Sequence, residues 1–292
     1  MKSEVYVTKF DGSPKNTISE LLITANLNLP TNPKLICIKP NLCDYRFWES
    51  GATTDPNILD PLLATLSEKY PDSRLVLVEN DATAVSADNI FHYLGISLVA
   101  DKYDCEILNV ARDEWISRPI KGIYFQNLLI PKIIAKCELF ITHPKLKTCS
   151  ATKISCSLKN QFAFHRRKRK ISLHRILDAA IVDINLALQP KSILSIVDAN
   201  ICHEGIGGPS FGFPKKLGLL IAGNDIVAVD ALCAKIAGFN PFFIGHIRKA
   251  ARKKLGRIKY HLNTKLPKSE IFRGLKFERW IYFGLKLARG RF

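Results

Sequence analysis

The chain has 292 residues, with 43 Lys+Arg against 26 Asp+Glu and a formal net charge of +17. Hydrophobic residues at 47% and charged residues at 24% are ordinary globular proportions, which excludes a disordered, collagen-like or coiled-coil chain and leaves room for one large or two small domains. The positive balance points first to nucleic acid, an anionic membrane surface or an anionic substrate, without choosing among them.

Short apolar, β-branched runs alternate with longer helical patterns along the chain. Strands are predicted at residues 5–9, 35–39, 74–79, 106–110, 138–142, 193–198 and 217–222. Each is nearly continuous in apolar character, as expected of parallel strands covered on both faces. Between them, Asp55 can cap a helix over 56–69 with Pro56 at its first position. Apolar residues recur at helical spacing over 173–188, stopping before Pro190, and Asp225 opens a helix over 226–237 that Gly238 ends. This rhythm predicts an α/β fold: a mostly parallel sheet with helices on both faces, plus a basic C-terminal helical tail.

The charge is unevenly placed. Residues 144–175 hold ten Lys/Arg and no acid, and residues 246–292 hold fifteen against two acids, so the remainder of the chain is mildly acidic. A boundary is therefore expected near residue 245, between an α/β core (1–245) and a tail (246–292) in which aromatics such as Phe272, Trp280 and Tyr282 are interleaved with the basic residues. Such a tail either packs its aromatics on the core or binds a polyanion, nucleic acid or an acidic membrane surface.

Eight cysteines occur without a C-x-x-C pair and mostly inside apolar runs, where Cys behaves as a small hydrophobe. They read as reduced cytosolic thiols, and no four-cysteine spacing for an iron–sulfur cluster or zinc is present in the sequence. Met1-Lys2-Ser3-Glu4 does not open a secretory signal, and apolar stretches break before 18 residues, so no membrane span is predicted and the expected location is cytoplasmic.

In an open α/β sheet, ligands collect beyond the carboxyl ends of the strands, and the notable polar residues fall there. Lys39-Pro40-Asn41-Leu42 and Gly51-Ala52-Thr53-Thr54-Asp55-Pro56 follow the second strand, Glu79-Asn80-Asp81 ends the third, and His143-Pro144-Lys145-Leu146-Lys147-Thr148 follows the fifth. Asp198 ends the sixth, with Glu204-Gly205-Ile206-Gly207-Gly208-Pro209 beyond it, and Asn224, Asp225 and Asp230 follow the seventh. If all strands ran in parallel, these groups would converge on one edge. Each piece also has a plain structural reading: Pro40 can simply end a strand, and Asp55 and Asp225 can simply cap helices. Pro209 and Pro214 oppose a helix after the glycines, so a dinucleotide fingerprint fails and a tight ligand loop is expected instead. His143, Lys145 and Lys147 alternate, so an extended chain would turn all three to one side. Lys159, Asn160 and His174 follow in the same basic segment, where Arg166 to Lys170 reads as a solvated loop.

Taken in order, Lys39–Leu42, residues 51–56, His143–Thr148, Ser157-Leu158-Lys159-Asn160-Gln161-Phe162, Val197-Asp198-Ala199 with residues 204–209, and residues 219–230 resemble the successive blocks of domain-of-unknown-function family 362 over roughly residues 33–245. The resemblance implies a cytosolic prokaryotic α/β protein from a family often described as iron–sulfur-binding because many members carry a ferredoxin-like module; that module's cysteine run is missing in this chain, and Ala163 stands where a Gly is usual. A more distant likeness, of architecture and a His…Lys separation, is to lactate racemase.

These features lead to the expectation of an enzyme, or enzyme-like protein, for a small anionic metabolite. Lys39, Lys145, Lys147 and Lys159 would hold its carboxylate or phosphate, with Asn41, Asp55, Glu79, Asn160, Asp198 and Asp230 around it and Gly205, Gly207 and Gly208 closing over it. His143, His174, Lys147 and Glu204 are the candidates for acid–base work, Glu204 or Asp198 alternatively binding a divalent metal, and the cofactor is left unknown. The alternative is a polyanion-binding protein that joins the two basic segments into one surface.

Overall fold

The computed structural model describes residues 3–10, 13–24, 29–82, 85–166, 170–205, 212–263 and 272. Twelve strands are present among them: β1 (Ser3–Lys9), β2 (Leu35–Lys39), β3 (Arg74–Glu79), β4 (Glu106–Asn109), β5 (Trp115–Pro119), β6 (Asn127–Pro131), β7 (Leu139–Thr142), β8 (Lys145–Cys149), β9 (Lys153–Ser155), β10 (Ile193–Glu204), β11 (Phe213–Gly223) and β12 (Tyr260–Leu262). The fold is α/β with a mostly parallel central sheet of order β12-β1-β11-β10-β7-β2-β3-β4; β8 joins β10 and carries β9, and β5 and β6 form a separate hairpin.

The strands alternate their side chains between two apolar layers, as a period of two requires. Ile36, Ile38, Leu75, Leu77, Leu139, Ile141, Leu194 and Ile196 face the helices Pro14–Thr24 and Pro56–Lys69 and the short helices Ala87–Tyr93 and Ile96–Asp101. Cys37, Val76, Val78 and Phe140 face the helix Leu177–Leu188 and the β5–β6 hairpin. Val5, Val7, Val197 and Ile221 face the helix Ile226–Ile236 on the same side. Fully burying one such side chain contributes about 1.5–3 kcal/mol, so the two layers hold the sheet from both faces.

The predicted seven strands and three helices are present, with the sixth strand running on to Glu204. One expectation about direction is overturned. β11 is antiparallel to both β10 and β1, with Ser195 opposite Gly223 and Glu204 opposite Phe213. Its carboxyl end, with Asn224 and Asp225, therefore lies at the edge opposite to the carboxyl ends of β2, β3, β7 and β10.

The chain also runs past the expected boundary at residue 245 without leaving the core. The helix Gly245–Arg252 buries His246, Ile247 and Ala250, and β12 pairs in parallel with β1. Phe272 is buried in the same layer, with the Lys215 ammonium over its ring; residues 264–271 and 273–292 lie outside the described residues. No helix among the described residues is long and apolar enough to cross a membrane.

Candidate functional site

Strand order decides where the site falls. From β2 the chain moves to β3 and β4, then returns to place β7 on the other side of β2, and continues outward to β10. The point between β2 and β7 is thus where the winding reverses, the position at which open α/β sheets leave a crevice beyond the strand ends. A cavity of about 200 Å³ lies there, lined by Lys39, Asn41, Cys43, Glu79, Asn80, Lys147, Thr148, Cys149, Lys159 and Asn160 among others.

The ends of β2 and β7 are tied together beside this cavity. Asn160, in the short helix Ser157–Asn160, donates to the Lys39 carbonyl oxygen at 3.1 Å and to the Thr142 Oγ1 at 3.0 Å. Lys39 closes β2 because Pro40 cannot extend the ladder. Its Nζ donates to Glu79 Oε2 at 2.6 Å and to the Pro40 carbonyl at 2.7 Å. Glu79 also accepts from the backbone N–H of Asn80 and of Leu42, so the ion pair splints the ends of β2 and β3. Burial pushes the Lys39 ammonium below its ordinary pKa, with the Glu79 carboxylate opposing the shift.

Lys147 is 5% exposed and reaches the cavity from β8. Its Nζ donates to the Ala52 carbonyl at 2.8 Å and to Cys43 Sγ at 3.2 Å. Lys159 meets Cys149 Sγ at 2.9 Å. Neither ammonium has a carboxylate at ion-pair distance among the described residues. Glu79 is the acid on the cavity wall, and Lys39 already occupies it. The cavity therefore carries net positive charge in a partly dehydrated place.

A second cluster lies against this one, wholly buried. Lys145 Nζ pairs with Asp198 Oδ2 at 2.7 Å, with side chains 0% and 1% exposed, and also donates to the Ile201 carbonyl. The pairing of β10 with β8 is interrupted between Asp198 and His203, the stretch that holds Ile201. Two residues apart on β8, Lys145 lowers the pKa of Asp55 by its charge and Lys147 bonds Ala52 of the same loop. Asp55 caps the helix Pro56–Lys69 through the Asn57 N–H, and burial followed by the Asp198 charge raises its pKa to about 6. His143 is completely buried, its Nδ1 on the Ile196 carbonyl at 2.7 Å and its Nε2 without a hydrogen-bond partner. Burial holds its pKa below the ordinary value, Asp198 pulling the other way.

The loop over this cluster approaches β10 closely. Gly51 has φ +73°, and a Cβ there would stand 2.0 Å from the Cys202 carbonyl oxygen. No side chain fits that approach. His203 bonds the Ser50 carbonyl through Nδ1 at 2.8 Å, and Gly205 exchanges backbone bonds with the Thr148 hydroxyl at 2.9 Å.

The structure thus brings Lys39, Asn41, Glu79, Lys147, Lys159 and Asn160 to one cavity, and Asp55, His143, Lys145 and Asp198 to the cluster beside it. Glu204 is on neither wall and lies 3.7 Å from Lys215. His174, in the 3-10 turn Lys170–Ile176, is exposed; partial desolvation and the Lys159 charge lower its pKa. Gly205 adjoins Thr148, whereas Gly207 and Gly208 lie outside the described residues. Asp230 is corrected in position: it lies beyond the antiparallel β11, fully buried, accepting from the backbone N–H of Ser157 at 2.8 Å and of Leu158 at 3.0 Å. It anchors the helix that carries Lys159 and Asn160 and does not face the cavity.

Cys43 and Cys149 are cavity residues that sequence reasoning passed over, and Asn80, noted only as part of a strand end, lines the cavity with them. The Lys147-x-Cys149 spacing is the one sequence signal that a thiol and an ammonium share a strand face. The cysteines do not fit the cluster module of the iron–sulfur members. They are dispersed through the core, with Cys37 beside Cys137 and Cys156 beside Cys233. No group of three or more His, Cys, Asp or Glu among the described residues could hold a metal.

A thylakoid-associated protein of Synechocystis sp. is 30% identical over 139 residues, covering 45% of this chain and 42% of that one. The lactate racemase apoprotein of Thermoanaerobacterium thermosaccharolyticum superposes with a TM-score of 0.43 at 13% identity, over 81% of this chain and 57% of that one. The chain thus spans under half the length of the cyanobacterial relative and little over half that of the racemase. Residues 36–235, which include β2 to β11 and both polar clusters, match the family described as Domain of unknown function (DUF362), and the chain belongs to it.

Proposed function

We propose that the protein is an enzyme that binds a small anionic molecule, a carboxylate or phosphate, in the cavity between the ends of β2 and β7. One observation supports this most: Lys147 is 5% exposed and faces the cavity with no carboxylate at ion-pair distance among the described residues. Holding an ammonium out of water without a counter-charge is costly, and an anionic ligand relieves that cost. A volume of about 200 Å³ suits a metabolite smaller than a drug-sized ligand. Asn41, Asn80 and Asn160 would orient the bound oxygens. The Asp55 carboxyl, pushed up to about 6 by burial and the Asp198 charge, shares Asp198 as a neighbour with His143, an arrangement suited to acid–base chemistry.

Calorimetric titration with inorganic phosphate and with two- to four-carbon mono- and dicarboxylates tests this. One or more of these is expected to bind and to raise the melting temperature, with Lys147→Met or Lys159→Met weakening the affinity at least tenfold, about 1.4 kcal/mol. Equal affinity in wild type and both variants would remove the assignment.

A second reading has its own support. Phe242 and Phe243 are 49% and 69% exposed beside the helix Gly245–Arg252. Arg248, Arg252, Lys254, Arg257 and Lys259 are exposed along the same segment. Aromatic side chains amid cations suit an acidic membrane surface, and the cyanobacterial relative is named for its association with thylakoids. Co-sedimentation with phosphatidylserine-containing vesicles, and not with neutral ones, is expected; it should fall off with salt and with Phe242→Ser/Phe243→Ser. Equal recovery on both vesicle types would refute this surface.

A further inference from the structure

We propose that Cys149 is a nucleophile in this cavity: a thiolate paired with Lys159 that attacks an electrophilic carbon beside the carboxylate of the bound anion. The proposal rests on the anionic-ligand reading and narrows it to small carboxylates bearing such a carbon, for example a 2-oxo acid.

Cys149 ends β8 on the cavity wall, two residues beyond Lys147. Lys159 Nζ lies 2.9 Å from its Sγ, a distance at which the ammonium stabilises a thiolate and can return a proton. Burial pushes the thiol up, but the Lys159 charge and hydrogen bond, helped by the Thr152 hydroxyl and backbone, outweigh it and bring Cys149 down to about 7. Among the described residues, the other charged and titratable groups on the cavity wall are Lys147, Lys39 with Glu79, and Cys43, and His174 lies close enough to Lys159 to feel its charge. Burial drives the thiols of Cys105 and Cys202 upward, and mutual contact does so for Cys37. The cavity thiol thus differs from the core thiols in both place and charge, the environment in which reactive cysteines occur.

In the addition step the sulfur lone pair forms an S–C bond to the carbonyl carbon. The C=O π pair moves to oxygen, which takes a proton from Lys159, leaving a hemithioacetal with no change of oxidation state. Lys147 is placed to hold the adjacent carboxylate.

The test alkylates the intact protein with anionic iodoacetate and with neutral iodoacetamide across a pH series, following each cysteine peptide by mass spectrometry. In this probe reaction the S–C bond forms as the C–I bond breaks and iodide leaves. Cys149 is expected to react first among the eight cysteines, with a midpoint at about 7, and several-fold faster with iodoacetate than with iodoacetamide. Lys159→Met should move the midpoint up toward the ordinary thiol value of about 8.5, and inorganic phosphate should protect. A wild-type midpoint at the ordinary value overturns the thiolate even where phosphate still binds, and it does so without needing any variant to fold. A low midpoint with no preference for iodoacetate and no protection overturns the anionic ligand, and the substrate class with it, while leaving the reactive thiol in place.

Discussion

Lys145→Met, made with Asp198 left in place, is expected to cost about 3–5 kcal/mol of stability, read as a lowered urea midpoint with an unchanged slope. The two side chains are 0% and 1% exposed and meet at 2.7 Å. Removing the cation leaves a carboxylate in the sheet interior whose remaining support is the Asn200 backbone N–H at 3.0 Å. The loss is therefore mostly the penalty of an uncompensated buried charge, which the double variant Lys145→Met/Asp198→Leu removes. That double variant should recover most of the stability, because an apolar pair of similar volume is often as stable as a buried ion pair. If the single variant instead unfolds within about 1 kcal/mol of wild type, the level of an exposed pair, water reaches this cluster.

That pair also shows what sequence pattern can and cannot disclose. β2, β3, β7 and the start of β10 are continuous apolar runs, covered on both faces, and were legible as strands for that reason. β8 was not legible. Lys145-Leu146-Lys147-Thr148-Cys149 lacks the continuous apolar run of the other strands and reads only as a stretch that, if extended, turns its lysines to one side, yet every one of its residues is buried. Its lysines point inward to partners as distant in sequence as Asp198 and Ala52, and no local signal carries such partners. The helix Gly245–Arg252 was hidden differently: its exposed Arg248 and Arg252 set the composition, while His246, Ile247 and Ala250 carry its buried face.

For the site, the rule that polar groups gather beyond parallel strand ends succeeded where the strands are parallel. It points to Lys39, Glu79 and Lys147, which the cavity at the reversal between β2 and β7 brings together with Lys159 and Asn160 of the following basic segment. It failed at Asp230, because nothing in residues 217–222 says that β11 runs antiparallel; that follows from its pairing with β1 and β10. Cys149 escaped for a third reason. A buried thiol beside apolar neighbours is usually inert, and its character here is set by an ammonium ten residues away.

Asp55 offers the sharpest test of the buried cluster, because its effect has a sign that depends on pH. Its folded-state pKa is raised to about 6 by burial and then by Asp198, whereas an unfolded Asp ionises at about 3.9. The unfolded chain therefore loses this proton first as pH rises. The stability Asp55 contributes is complete below pH ~4 and is lost as pH climbs through about 6. Two pKa units at ~1.4 kcal/mol each make that loss about 3 kcal/mol. Asp55→Asn keeps an acceptor for the Asn57 N–H, which Asn provides at a helix start as well as Asp does, and removes the titration. Between pH 4 and pH 7 the variant should therefore gain about 3 kcal/mol on wild type in unfolding free energy, measured by urea denaturation at each pH. The two proteins should be closest, or wild type ahead, at the acid end. A difference that stays flat would show Asp55 ionising as a surface carboxylate does. His143 and Asp198 would then lack a neighbour that changes charge near neutrality, and acid–base chemistry in the cluster would fall to His143 alone.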